Sequence, residues 1–287
     1  MKHIFHLYYP AVVFLYIMAA LIFSMITLNP VCIIISFLAA SGYSIYLNGV
    51  KSYLKTLRFV AVMFVIISII NPLFNHNGVT ILFYMFDNPI TLEACLFGMA
   101  SGGMLACIFI WFTCYNKLMT NEKFLHLFGK AMPTIALMLS MILRLVPTTR
   151  YKIKCITNAG KAMGIQAETR RKRIAHGVRA SSILLSWTME DSIETAESMN
   201  ARGYGVAKRT SFTAFKWSPH DIITGVIITA LVGAVIYMMI VPFNTYVYYP
   251  TAGGELIAPI GIVGYVLYAI LLCFPLLLEL RETIKWR

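Results

Sequence analysis

Long uncharged runs separated by short polar connections set the pattern of the chain on either side of a different, more polar middle. The runs are Pro10–Leu28, Pro30–Leu47, Phe59–Phe74, Pro89–Thr113, Ile222–Val241 and Leu256–Leu278. Each is close to the roughly 20 helical residues that cross a bilayer core ~30 Å thick. Each is predicted to be helical, because lipid offers backbone amides no partner and an open strand would leave them unpaired. Between residues 116 and 217 the rhythm changes. A basic helical stretch covers Tyr151–Ala162. From Ser181 onward the period is again helical, with Met189, Ile193, Ala196 and Asn200 along one side and Glu190, Glu194 and Glu197 on an adjacent one. The pattern predicts an all-α integral membrane protein of about six transmembrane helices with a large cytoplasmic insertion. Its parts are membrane helices in 1–115, a helical insertion in 116–217 and two more membrane helices in 218–287.

Composition agrees with this pattern. Of 287 residues, 59% are apolar and 13% charged, more hydrophobic surface than one soluble core of that length buries. The amino-terminal run is about twice the length of a signal-peptide core and has no clear cleavage site, so it is expected to be an uncleaved first span. The six cysteines have no CxxC spacing, and five lie in apolar segments, which suits packing better than a metal site or a disulfide framework.

Charge gives the orientation. Of the 24 Lys and Arg residues, seventeen fall between Lys117 and Lys216; the others are Lys2, then Lys51, Lys55 and Arg58, then Arg281, Lys285 and Arg287. None falls at Asn29, in Asn75–Asn88 or in Pro242–Glu255. Positive residues stay inside, so these three connections are expected to face outward and both termini to be cytoplasmic. Pro133–Pro147, "PTIALMLSMILRLVP", is apolar but short and interrupted by Arg144. Were it a seventh span, the basic carboxyl terminus would move outside, so it is placed on the cytoplasmic side or shallow in the interface. The insertion has six acidic residues against its seventeen basic ones. Without a recognition motif this excess suits a solvated face near anionic lipid rather than nucleic acid.

Candidate chemistry is sparse. The six histidines are scattered, and Gly203–Thr210, "GYGVAKRT", lacks the glycine before lysine that a phosphate-binding loop requires. Neither an enzyme nor an ATPase is expected, and no metal or cofactor. Asp87, Glu93, Asp221 and Glu279 fall at or near span ends, whereas a proton- or sodium-coupled carrier usually carries a charge at mid-depth. The fourth run has small residues at every fourth position, Ala94, Gly98, Gly102 and Ala106, a stripe that lets another helix approach. Internal packing explains such a stripe at least as well as a partner subunit. Gly225, Thr229 and Gly233 repeat it weakly.

Two helix ends share a spelling. In "ESMNARGYGV", Glu197–Val206, Gly203 is free to end a helix at φ > 0, and Arg202 sits in the last turn, where the macrodipole favours a cation. Alone, Arg202 need only cap its own helix. Ala162-Met163-Gly164 ends the other stretch in the same manner: a small residue, a long side chain, then glycine. A chain without its own ATPase could use two such tips as plugs.

These residues resemble those of a known family. "NPLFNHNGVTILF" at Asn71–Phe83, "TLEACLFGMASG" at Thr91–Gly102, "PTIALMLSMILRLVP" at Pro133–Pro147 and "ESMNARGYG" at Glu197–Gly205 resemble the transmembrane T component of energy-coupling factor (ECF) transporters. These are prokaryotic ABC-type importers of vitamins and transition-metal ions, and they include the cobalt-transport permeases. The resemblance covers about half the chain. It implies a non-catalytic coupling protein in the prokaryotic cytoplasmic membrane that joins two cytoplasmic P-loop ATPase subunits to a substrate-binding S component. It implies that ATP is bound by the partners and that long coupling helices end in docking motifs. The second motif maps onto Ala201, Arg202 and Gly203, and the first onto Ala162, Met163 and Gly164, where methionine replaces the family's arginine. The two contacts are then unlike, since a guanidinium pairs with carboxylates bidentately and a thioether offers only adaptable apolar contact. Arg144 and Pro147 match positions in the coupling segment. The rival expectation is a stand-alone secondary solute carrier.

Overall fold

The computed structural model describes residues 8–75, 77–85, 88–129, 132–164, 169–206, 217–240, 246–250, 253 and 259–285. Nine helices and one strand pair are seen among them, in the order α1 (Pro10–Ile26), α2 (Pro30–Asn48), α3 (Val50–Phe74), β1 (Ile81–Met85), β2 (Asn88–Thr91), α4 (Leu92–Leu118), α5 (Asn121–Gly129), α6 (Pro133–Ala162), α7 (Arg170–Ala201), α8 (Pro219–Ile240) and α9 (Pro259–Lys285). Lys2, His3, His6, His76, Asp87, Lys208, Arg209 and Lys216 lie outside the described residues, as does the start of the expected sixth span at Leu256.

Five of the helices, α2, α3, α4, α8 and most of α9, are long and apolar enough to cross a membrane. The chain is a predominantly helical, membrane-embedded protein. The helix α1 is also apolar but has only 17 residues, about 26 Å at 1.5 Å per residue. Three expected boundaries move. The third run is only part of α3, which starts at Val50 because Lys51, Lys55 and Arg58 continue a helix as readily as apolar residues do. The fourth run is not helical from Pro89: Asn88–Thr91 pairs antiparallel with Ile81–Met85, and the helix begins only at Leu92. This hairpin is also the described departure from an all-α fold. The helix α9 runs on to Lys285, past the expected end at Leu278.

The chain divides into two units, Met1–Phe124 with Phe215–Arg287, and Leu125–Ala214. In the first, α1, α2, α4 and α9 supply a core centred on Trp111, Tyr16, Tyr43 and Tyr268, all fully buried. Apolar burial cannot hold helices together in lipid, so close packing and buried hydrogen bonds have to. The Trp111 ring meets Tyr16 edge-on at 6.1 Å between centroids and Tyr43 at 6.3 Å. Its Nε1 donates to Ser36 Oγ at 3.2 Å, and Ser36 Oγ lies 2.8 Å from Ser24 Oγ. Tyr16 donates its hydroxyl to the Leu272 carbonyl at 2.9 Å, tying α1 to α9.

The three connections that lack basic residues meet at one end of this bundle. Tyr248 donates to the Leu28 carbonyl at 2.7 Å, Asn75 Nδ2 donates to the Tyr249 hydroxyl at 2.9 Å, and Asn29 Nδ2 donates to the Tyr265 hydroxyl at 2.8 Å. Phe97 contacts the rings of both Tyr248 and Tyr249. At the same end Glu93, in the first turn of α4, accepts from the Thr80 hydroxyl at 2.5 Å and from the Thr80 amide at 3.3 Å, fastening the loop before β1.

The second unit is built differently. Its helices α6 and α7 have 30 and 32 residues, and neither has a fully buried residue. The apolar segment Pro133–Pro147 and the basic stretch Tyr151–Ala162 form one helix rather than two. Pro147 denies α6 one amide, yet the helix passes through it; the Thr148 hydroxyl donates to the Arg144 carbonyl at 3.2 Å beside the defect. Likewise α7 starts at Arg170, eleven residues before the periodicity at Ser181 betrays it.

Candidate functional site

The two helix ends singled out in the sequence have matching backbones. At the end of α6, Met163 donates its amide to the Ala159 carbonyl and Gly164 to Lys161, both at 3.0 Å, and Gly164 turns to φ 74°. At the end of α7, Arg202 donates to Ser198 at 3.2 Å, Gly203 to Asn200 at 2.9 Å and Tyr204 to Met199 at 3.1 Å, with Gly203 at φ 78°. A left-handed residue following the helix, with its amide reaching back across the last turn, is the common C-terminal stop, and glycine takes it without a Cβ clash. Both glycines have open space around them. Backbone amides thus reach back to the carbonyls of Ala159 and Lys161 in α6 and of Ser198, Met199 and Asn200 in α7, which leaves less capping work for the side chains just before each glycine.

Those side chains are Met163, 71% exposed, and Arg202, also exposed. Ala162 and Ala201 beside them are exposed as well. The tips therefore match in shape and differ in chemistry. One presents a thioether, the other a guanidinium.

What joins the two helices was not visible in the sequence. Lys152 of α6 forms an ion pair with Asp191 of α7, and the same ammonium lies 5.4 Å from the centre of the Trp187 ring. A cation shared between a carboxylate and an aromatic face gains from both. The partners are 39 positions apart, so periodicity could flag each helix but not their register.

Arg144 and Pro147 are both exposed on α6, one turn apart. Along the same helix Ile135, Met138, Ile142 and Leu145 are exposed at helical spacing. In a unit with no fully buried residue on its long helices this is a large uncovered apolar surface.

The small-residue stripe has a different fate. Ala94, Gly98, Gly102 and Ala106 are all buried. A Cβ on Gly98 would sit 3.1 Å from the Ser68 carbonyl and from Asn71 Cβ; one on Gly102 would sit 3.1 Å from the Phe64 carbonyl. At Gly98 and Gly102 the stripe is packed against α3 of the same chain. The weaker repeat on α8 is more open: Gly225 approaches Val12 of α1, while Thr229 and Gly233 are exposed. Beside them an apolar groove of about 590 Å³ runs between α1 and α8, lined in part by Trp217, which stacks on Tyr9 at 4.0 Å.

Three carboxylates expected at span ends prove to be buried rather than solvated: Glu93, Asp221 and Glu279. Glu93 has the loop-fastening role above. Asp221 accepts from the Ser218 amide at 3.0 Å and the Tyr9 amide at 3.3 Å, anchoring the start of α8 to the residue before α1. Glu279 lies inside α9 at 1% exposure, and neither hydropathy nor spacing signals that. Among the described residues no group of three or more His, Cys, Asp or Glu is placed to hold a metal ion.

Comparison with protein-family models and with curated proteins returned no match to this chain. The resemblance to ECF T components rests on the four quoted stretches.

Proposed function

We propose that the chain is the T component of an energy-coupling factor importer. In this reading it passes ATP-driven motion from two cytoplasmic P-loop ATPases to a membrane-embedded S component, for uptake of a vitamin or a transition-metal ion. The observation that carries the reading is the pair of tips. Two helices of 30 and 32 residues each end in Ala-x-Gly, with the glycine in the left-handed region and x exposed. Long helices with little buried surface of their own are suited to transmit displacement, and a tip that ends on a glycine can enter a groove closely.

The mechanism follows from stiffness. ATP draws the two ATPases together, each carries its bound tip, and α6 and α7 transmit the movement to the surface on which the S component rests, reorienting it. The chain binds no nucleotide itself and catalyses nothing. It sits in a prokaryotic cytoplasmic membrane with both termini and the 116–217 insertion on the cytoplasmic side.

The test is affinity purification of the tagged chain from its native membrane. Two P-loop ATPases and a small membrane protein should accompany it; a solitary chain that transports in liposomes would end the proposal. For that second outcome the residue to examine is Glu279, a buried ionisable group two positions from the end of its apolar span. Ion-driven uptake by the chain alone, abolished in Glu279→Gln, would identify a secondary carrier instead.

A further inference from the structure

We infer that the amino-terminal third of α7, Arg170–Ser182, is a docking surface for anionic phospholipid headgroups at the bilayer surface. Two independent features of the segment meet there.

The first is an excess of positive charge among the described residues; Glu168, two positions before the run, lies outside them. Arg170, Arg171, Lys172, Arg173 and Arg179 are all exposed, and along α7 the first acidic residue after them is Glu190. The partner helix α6 has no acidic residue at all, so it cannot neutralise them. Helix stability does not explain these cations either. Four of them occupy the first turn, where the macrodipole is already positive and favours carboxylates.

The second is an apolar strip in register with the charge. Ile174, Val178 and Leu185 fall within about 40° of one another around the helix at 3.6 residues per turn. They are 69%, 65% and 62% exposed. Arg170 and Arg171 lie on the two borders of this strip by the same geometry. Apolar side chains bordered by long cationic ones make the amphipathic arrangement that rests in a headgroup layer, with the aliphatic groups immersed and the guanidinium groups among the phosphates. A nucleic-acid site would offer its backbone charge nothing in exchange for those exposed aliphatic side chains, and for base stacking the segment has a single ring, the half-buried His176. This surface is separate from the tip at Arg202, and the inference does not depend on the transport function.

The experiment compares the full chain in nanodiscs of phosphatidylcholine alone and of phosphatidylcholine with roughly one-third phosphatidylglycerol, reading amide hydrogen exchange along α7. Each basic residue near an anionic surface contributes about a fivefold change in binding, so exchange across residues 170–182 should slow by about fivefold or more in the anionic discs. The protection should vanish in high salt. It should also vanish in a variant combining Arg170→Gln, Arg171→Gln, Lys172→Gln and Arg173→Gln. The double variant Ile174→Ser/Val178→Ser should lose part of it while keeping the charge. Exchange across residues 192–201 reports that each variant still folds. Equal exchange in the two disc types would overturn the inference. So would stronger protection by a single-stranded RNA oligonucleotide in the neutral discs than by the anionic lipid.

Discussion

Glycine serves opposite ends in the two units. In the membrane unit Gly98 and Gly102 are sites where α3 comes so close that a Cβ would sit 3.1 Å from its backbone carbonyls. In the middle unit Gly160 and Gly177 lie inside helices with nothing within 4 Å, and Gly164 and Gly203 lie at helix ends in open space. The first unit spends its small residues on its own packing. The second keeps its surface for something else, and Met163, Met189, Ile174 and Val206 are all more than 60% exposed there. These glycines are packed away in one unit and left open in the other.

The difference can be broken at named positions. The largest effect is expected at the charged tip: Arg202→Glu should weaken ATPase retention by about 100-fold or more, as reversal of one partner in a charge pair commonly does. Co-purification yield measures it, and the thermal unfolding of the membrane unit should not move. Next, Gly98→Leu should destabilise the membrane unit by up to about 3 kcal/mol through overpacking against Ser68 and Asn71, read as a lower unfolding temperature in detergent.

A smaller effect lies in the pH dependence of Lys123. Its side chain is buried, its ammonium donates to the Leu118 carbonyl at 3.2 Å, and burial lowers its pKa to about 8. The unfolded chain then binds more protons than the folded one between pH 8 and the ordinary lysine value of 10.5, so stability should rise through that window. Lys123→Met should flatten the slope. Smaller still, Gly177→Ala in the middle unit should stabilise α7 by about 0.5–1 kcal/mol, the reverse of the Gly98 result, because nothing opposes the added methyl group there. Hydrogen exchange in α7 measures it. Least of all, Met163→Arg should leave ATPase retention unchanged or slightly tightened; a severe loss would show that the partner's groove is built for an apolar tip.

How much of this could be read beforehand follows from what each residue faces. The membrane helices were legible because lipid leaves a backbone no alternative, and an uncharged run of sufficient length is therefore a helix. Boundaries were not, wherever the helix leaves the apolar run: Lys51, Lys55 and Arg58 extend α3, and the charged start of α7 buries nothing that could produce a hydrophobic period. Pro147 closes the apolar segment yet is interior to α6, because an exposed helix tolerates one missing hydrogen bond. The glycine stops at Gly164 and Gly203 were legible from local chemistry alone, and both take the positive φ expected of such stops. Contacts between distant positions were hidden. Nothing near Glu93 in the sequence announces Thr80, nothing near Lys152 announces Asp191, and the burial of Glu279 depends on where α9 is packed.

The ion pair between Lys152 and Asp191 has a geometric consequence. Lys152 precedes Ala162 by ten residues, and Asp191 precedes Ala201 by the same number. Each tip therefore lies about 15 Å along its helix from the clasp. A rod pair joined at equal distances from its two points swings like compasses: opening the angle at the joint displaces both points by the same amount.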